Sequence, residues 1–314
     1  VVVSVTGGTG FVGAGLVRAH LLRGDEVRVL TRRVAAPTLA GACLVRGDLT
    51  TGRVPHDFLK NADILYHCAG EIRDQAQMHA LHVDGTRVLL ERAAGRVGRW
   101  VQLSSVGVYG PRRAGMVTED TPEAPVGPYE ETKALSDRIV TDAHRTGLVD
   151  VVVLRPSIVF GPGMPNRSLF ALIAAVNRGV FFYVGPKDAS ANYIPVDNVV
   201  DALMLCGTSD AASGRVFNLS AWRKLEDFIE TIAIALTKTP PRLRLPRRLV
   251  RSVASLMSAL PQWPLTVSRV DSLSTRVVYS TARIESQLGY RPRVTVEDEL
   301  HRTVGYWQQE RGRA

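Results

Sequence analysis

Tyr129 and Lys133 stand four residues apart in the segment Tyr129-Glu130-Glu131-Thr132-Lys133. On a helix, that spacing sets both side chains on one face. An ammonium beside a phenol favours the phenolate and draws the tyrosine pKa down from its ordinary ~10. A phenol tuned in this way can give a proton to a carbinol oxygen or take one from it. Ser105, just after the strand-like run Trp100–Ser104, supplies a hydroxyl that can hydrogen-bond the same oxygen. A second cluster, Thr6-Gly7-Gly8-Thr9-Gly10-Phe11-Val12-Gly13, joins a β-branched run to a helical one. Glycines at 7, 10 and 13 let the backbone turn sharply and approach a pyrophosphate held at the positive helix N-terminus. Together the clusters describe hydride exchange at a carbinol carbon with a bound dinucleotide. The plainer alternatives are an exposed helix face and a structural tight turn.

The end of the second apolar run sorts the dinucleotide. NAD enzymes usually carry an acidic residue there to bind the ribose 2′-hydroxyl. This chain has Thr31, followed by Arg32 and Arg33. A guanidinium suits a 2′-phosphate and no carboxylate is present to repel it. NADP(H) is therefore favoured over NAD(H), with two solvated surface arginines as the alternative.

These residues need elements to position them. Short apolar runs at Val1–Val5, Glu26–Thr31, Cys43–Gly47, Asp63–Cys68, Trp100–Ser104 and Val151–Arg155 read as strands. Helical stretches fall between several of them, at Phe11–Arg23, around Val83–Ala94 and around Tyr129–His144. Wholly apolar strands separated by helices imply a parallel sheet covered on both faces, with right-handed crossovers. The expected fold is α/β, a doubly wound parallel Rossmann-type sheet with a smaller C-terminal substrate-capping region. Residues 1–160 form the dinucleotide-binding domain; 161–314 form mainly the cap, with some segments returning to the core. In the second half helices are expected near Leu169–Arg178 and Leu225–Leu236, and two more around the turn Leu288-Gly289-Tyr290-Arg291-Pro292.

Composition narrows the class. The 314 residues are 45% hydrophobic and 22% charged, which excludes a disordered, collagen-like or disulfide-framework chain. No run approaches the ~18 apolar residues of a membrane helix, and no signal peptide is visible. Cys43, Cys68 and Cys206 are scattered, which argues for a reducing compartment and against a metal site. A cytoplasmic protein is expected. The net charge is +9, but no nucleic-acid-binding motif accompanies it.

From end to end the chain resembles the extended short-chain dehydrogenases/reductases of the NAD-dependent epimerase/dehydratase group. The resemblance rests on the glycine cluster, Tyr129 and Lys133, Gly47-Asp48-Leu49, the stretch 104–110, Leu154-Arg155-Pro156, the stretches 159–163 and 193–202, and the 288–292 turn. It implies Ser105, Tyr129 and Lys133 as the catalytic trio. It also implies a cofactor held by Gly7, Thr9, Gly10, Phe11, Val12 and Gly13, by Asp48 and Leu49 at the adenine, by Ala69 and Gly70, and by Pro156 at the nicotinamide. Tyr129 and Lys133 would contact the cofactor too, and Arg32 and Arg33 would meet the 2′-phosphate. A homodimer is expected. One departure is His82, where the group usually has asparagine; it is either a replacement for that residue's hydrogen bonds or a satisfied helix residue. His67 is expected as a packed wall residue.

The substrate signal is thinner. Sugar-nucleotide epimerases of this group commonly place an arginine where this chain has Ala191, so a standard UDP-galactose-type epimerase is disfavoured. Asn166, Arg167, Arg269 and Arg276 are candidate substrate residues that could hold a diphosphate instead. The stretch from Asn166 to Gly185 resembles bacterial reductases of nucleotide-linked 4-keto sugars, and such a nucleotide sugar is the first expected substrate. The alternatives are a nucleotide-sugar epimerase or dehydratase, for which Glu130 and Glu131 would be acid/base candidates, and an apolar alcohol dehydrogenase of the 3β-hydroxysteroid or dihydroflavonol type. Finally, Arg242, Arg244, Arg247, Arg248 and Arg251 precede an apolar stretch reaching Leu260. That segment is either a capping helix or a weak contact with an anionic membrane surface.

Overall fold

The computed structural model describes residues 1–33, 36, 39–257 and 266–312. Seven strands make one sheet: β1 Val2–Thr6, β2 Glu26–Thr31, β3 Cys43–Arg46, β4 Ala62–His67, β5 Val97–Leu103, β6 Asp150–Pro156 and β7 Val216–Leu219. They lie in the order β7-β6-β5-β4-β1-β2-β3, and every pairing is parallel. β1 sits between β2 and β4, with Val5 opposite Val29 on one side and Tyr66 on the other. The chain therefore leaves β1 in one direction and returns beside it from the other. The loops after β1 and β4 diverge there and open a crevice at the carboxyl edge.

The helices are α1 Phe11–Leu22, α2 Gln75–His79, α3 Gly85–Ala93, α4 Pro128–Arg145, α5 Ser168–Asn177, α6 Val196–Thr208, α7 Leu225–Ala235, α8 Arg247–Leu256, α9 Val267–Ser272, α10 Ala282–Leu288 and α11 Val296–Gly312. The inner strands are largely apolar because both faces are covered. Val3, Val5, Tyr66, Val101 and Val152 pack under α1 and α6 through Leu16, Val17, Val199 and Leu203. Their neighbours in the chain, Leu65, Trp100, Val151 and Val153, point the other way, toward Leu89 of α3 and Val140 of α4. This period-two division is what a doubly wound sheet requires.

The sequence reading assigned neither α6 nor β7. Both lie beyond the first cap segments, yet α6 packs on the sheet beside α1 and β7 pairs with β6 from Val216↔Val153 to Leu219↔Pro156. β7 is four residues long and holds the polar Asn218, too little for a run-based reading. The cap gathers α5, α7 and α11 around Phe160, Ile173, Phe228 and Leu300. α8 and α9 meet beside it over Val184, Val250, Ala254 and Val270. Of the arginine-rich stretch, residues 258–260 lie outside the described residues.

Candidate active site

The glycine turn is a tight cradle at the carboxyl end of β1. Gly7 has φ +68°, and a Cβ there would lie 2.6 Å from the Cys68 and Ala69 backbone. A Cβ on Gly13 would lie 2.3 Å from the Gly7 carbonyl oxygen. The Gly10 N–H donates to that same oxygen at 2.9 Å. Gly10 caps α1 without a side-chain hydrogen bond, and no acidic residue stands in the first turn. The positive end of α1 is thus left to an anion, and the cradle has room only for backbone. These residues fit a dinucleotide pyrophosphate. Thr9, Phe11 and Val12 complete the turn.

Around it lie the other expected cofactor residues. Asp48 caps the turn Leu49–Thr51 by accepting from the Thr50 N–H at 3.0 Å and the Thr50 hydroxyl at 2.7 Å, with Leu49 buried beneath. The Ala69 N–H donates to Thr6 Oγ1 at 3.3 Å, and Gly70 follows at the crevice. Pro156 is buried at the end of β6. Thr31 is buried and its hydroxyl accepts from the Arg33 N–H at 3.1 Å. Arg32 and Arg33 are exposed, and no carboxylate pairs with either among the described residues.

Ser105 leaves the end of β5, where its hydroxyl accepts from the Gly107 N–H at 3.1 Å. Tyr129 sits in the first turn of α4 and hydrogen-bonds with Ser105 through its side chain. Burial of the phenol, with Glu130 adding its charge, pushes the Tyr129 pKa up to about 12 against the pull of that bond. The lowering expected from Lys133 is not found. The Lys133 ammonium, also buried, donates to the Leu103 carbonyl at 2.6 Å. Burial draws the Lys133 pKa down while the nearby Asp137 carboxylate opposes. The phenol is neutral at pH 7 and is set up to donate.

Asp137 was missed at the sequence level. One turn after Lys133, it is buried and accepts from the Ser104 hydroxyl at 2.7 Å and Arg155 Nε at 3.1 Å. Arg155 also pairs with Glu123 and donates to Tyr109 at 3.1 Å. This network anchors the end of β5 to α4 and fixes the spacing of Ser105 from the tyrosine helix. Its signal was the acid four residues after Lys133 on the same helix face.

The two histidines are internal. His67 is hydrogen-bonded at Nδ1 with Thr6 (2.6 Å) and at Nε2 with Thr86 (3.1 Å), and burial holds its pKa well below the usual value. His82 lies in a π-turn, Ala80–Asp84. Its Nε2 accepts from the Glu71 N–H at 2.9 Å, so Nδ1 carries the proton and donates to Thr132 Oγ1 at 2.8 Å. Burial and Lys133 push the His82 pKa down to about 3, so the ring is neutral. It meets the Tyr129 ring edge-on at 5.7 Å between centroids. His82 therefore ties the loop after β4 to α4.

A cavity of about 1040 Å³ reaches Val106, the residue after Ser105, and is lined mostly by apolar groups such as Ile158, Leu172, Tyr193 and Tyr279; Ser105, Tyr129 and Lys133 are not on its lining. Arg112, Arg113, Arg247 and Arg276 also line it. Of the four candidate substrate residues only Arg276 is on this lining. Asn166 is turned to its own backbone, accepting from the Ser168 N–H at 2.9 Å, and Arg167 is exposed at the start of α5. Arg269 is exposed on α9. Ala191 lines the cavity and is buried.

The family model of the NAD-dependent epimerases and dehydratases matches residues 3–220. The chain belongs to that family. It is an NAD(P)-dependent oxidoreductase of the extended short-chain dehydrogenase/reductase type. Sterol demethylase protein B of Methylococcus capsulatus is 32% identical, with 91% of each chain covered. The dTDP-glucose 4,6-dehydratase of Streptomyces niveus is 28% identical over 98% of this chain and 93% of its own. Among solved structures, gox2253 superposes with a TM-score of 0.80 at 25% identity, covering 99% of this chain and 98% of its own. MoeE5 in complex with UDP-glucose and NAD has the same fold, with a TM-score of 0.76 at 24% identity over 98% and 99% of the two chains. Among the described residues no helix is long and apolar enough to cross a membrane.

Proposed function

We propose that the enzyme interconverts a ring carbinol and its ketone on a bulky, largely apolar substrate that carries an anionic group, with NADP(H) as its preferred partner. The observation that carries this reading is the cavity reaching Val106, apolar along most of its wall, with four arginines and Asp271 also on the lining. A sterol bearing a carboxylate matches that division of surface, and the relative from Methylococcus capsulatus carries a sterol name.

A bound nicotinamide dinucleotide supplies the hydride acceptor or donor. Gly7, Gly10 and Gly13 would hold its pyrophosphate, Asp48 and Leu49 its adenine, and Arg32 with Arg33 the 2′-phosphate. The Ser105 hydroxyl hydrogen-bonds the substrate oxygen and aligns it with Tyr129. The Tyr129 hydroxyl gives its proton to that oxygen during reduction and recovers it during oxidation. Lys133 keeps a cation beneath the site, and Asp137 holds the helix that carries both.

The second reading is reduction of a nucleotide-linked 4-keto sugar. Arg113, Arg247 and Arg276 on the cavity lining favour it, because guanidinium groups suit a diphosphate. Calorimetric titration into the NADPH-saturated enzyme separates the two. Saturable binding of a sterol 4-carboxylic acid, with none by UDP at millimolar concentration, is the expected result. The reverse pattern would replace the first reading with the second.

A further inference from the structure

α8 divides its surface into three sectors, as its 100° steps dictate. Val250 and Ala254 are buried against Val184 and Val270. Arg247, Arg248, Arg251, Ser252 and Ser255 turn to a second cavity, of about 690 Å³, whose remaining lining residue is Arg113. The third sector, Leu249, Val253 and Leu256, is exposed at 57%, 41% and 80%. These three are spaced i, i+4, i+7 and form one apolar stripe facing solvent.

The charge beside that stripe is under-neutralised. Asp271 is the carboxylate that pairs with the cavity arginines, at 2.5 Å from Arg247 and 3.4 Å from Arg251. Among the described residues Arg113 and Arg248 have no carboxylate partner. A surface helix with an outward apolar stripe flanked by such arginines matches a bilayer whose headgroups are anionic. Water leaves the stripe without a partner, whereas the lipid boundary takes apolar residues and phosphates at adjacent depths.

We propose that α8 seats the enzyme on an anionic phospholipid surface. Leu249, Val253 and Leu256 enter the headgroup–acyl boundary, and the arginine-lined cavity receives lipid phosphate. Arg113 and Arg247 line both this cavity and the larger apolar one, so the lipid contact adjoins the cavity proposed for the substrate. The inference does not depend on which substrate is turned over.

Flotation of the full chain with vesicles tests it. Vesicles containing phosphatidylserine should carry the protein at low salt, and phosphatidylcholine vesicles should not. Arg248→Glu and Leu256→Ser each change an exposed side chain, and each should lower the bound fraction by about tenfold while leaving NADPH affinity unchanged. Absence of binding to the anionic vesicles would overturn the proposal, as would binding that neither variant weakens. Loss in Arg248→Glu alone, together with competition by millimolar inorganic pyrophosphate, would also overturn it, by making the cavity a site for soluble phosphates.

Discussion

The carboxyl end of β1 offers backbone to an anion, whereas the face of α8 offers long side chains. A Cβ on Gly7 or Gly13 would lie 2.6 Å or 2.3 Å from neighbouring backbone, so the first surface admits no side chain at these positions. The second is built from Arg113, Arg247, Arg248 and Arg251 on a cavity wall, where guanidinium groups can be redirected by changing rotamers. A constant pyrophosphate suits the first kind of surface, and a contact that varies with its surroundings suits the second. The same sheet can thus be kept across a family while the cap changes its substrate.

The backbone side breaks first. Gly13→Ala puts a methyl group onto the Gly7 carbonyl, so the cradle must shift, and a loss of contact worth about 1–3 kcal/mol would be roughly 5- to 150-fold in NADPH affinity. Titration of the purified variant should show this with the fold intact by circular dichroism. Unchanged affinity would mean that the cradle is not where the pyrophosphate sits.

The second test concerns the proton. With the Tyr129 pKa pushed up to about 12, the phenol stays protonated throughout the neutral range. Ketone reduction should therefore be flat between about pH 6 and 9. Alcohol oxidation, which needs the ionised form, should rise by about tenfold per pH unit over the same interval. An oxidation rate that levels off near neutrality would show Lys133 lowering the phenol pKa in the working complex.

Such tests follow the line between what the sequence made legible and what it did not. The sheet was legible because its central strands are buried on both faces, so β1, β4 and β6 read as near-continuous apolar runs. β7 and α6 were not, because their partners lie on the far side of a cap segment. The place of the glycine turn after β1, and of Ser105 near the start of the α4 helix that carries Tyr129 and Lys133, was expected from spacing together with the family resemblance. The direction of the Tyr129 pKa could not be read, because it depends on where the Lys133 ammonium points and how deeply the phenol is buried. Long-range partners such as Asp137 with Arg155 were also hidden, as was the place of Arg276 on the cavity wall while Asn166, Arg167 and Arg269 stay off it.

A smaller effect sharpens the cofactor claim. Arg32→Ala removes one guanidinium from the exposed end of β2, and loss of a charge-assisted hydrogen bond to a phosphate, about 1.5–3 kcal/mol, should weaken NADPH by at least about tenfold. NADH affinity should move little. Equal losses for both would remove the preference for the 2′-phosphate.

The smallest effect falls on stability, where α11 packs in the cap. Glu299 is fully buried, and burial pushes its pKa up to about 7 although Arg302 lies 2.9 Å away. The folded state therefore holds a proton that the unfolded chain releases above its ordinary value of 4.5. Stability from this group is present below that value and is lost as the pH rises through about 7. Glu299→Gln should raise the melting temperature at pH 8 by a few degrees, for about 1–2 kcal/mol, and change it less at pH 4. An equal change at both pH values would contradict the assigned titration.

The most direct test of the central claim is single-turnover reduction of a ring ketone by the NADPH-loaded Tyr129→Phe enzyme. Removing one hydroxyl leaves the cradle, Ser105 and Lys133 in place. NADPH should bind as in the parent, while the reduction rate should fall by about 100- to 10,000-fold, the range for a lost general acid. A rate near that of the parent would contradict the account, since the proton would then come from a group other than Tyr129.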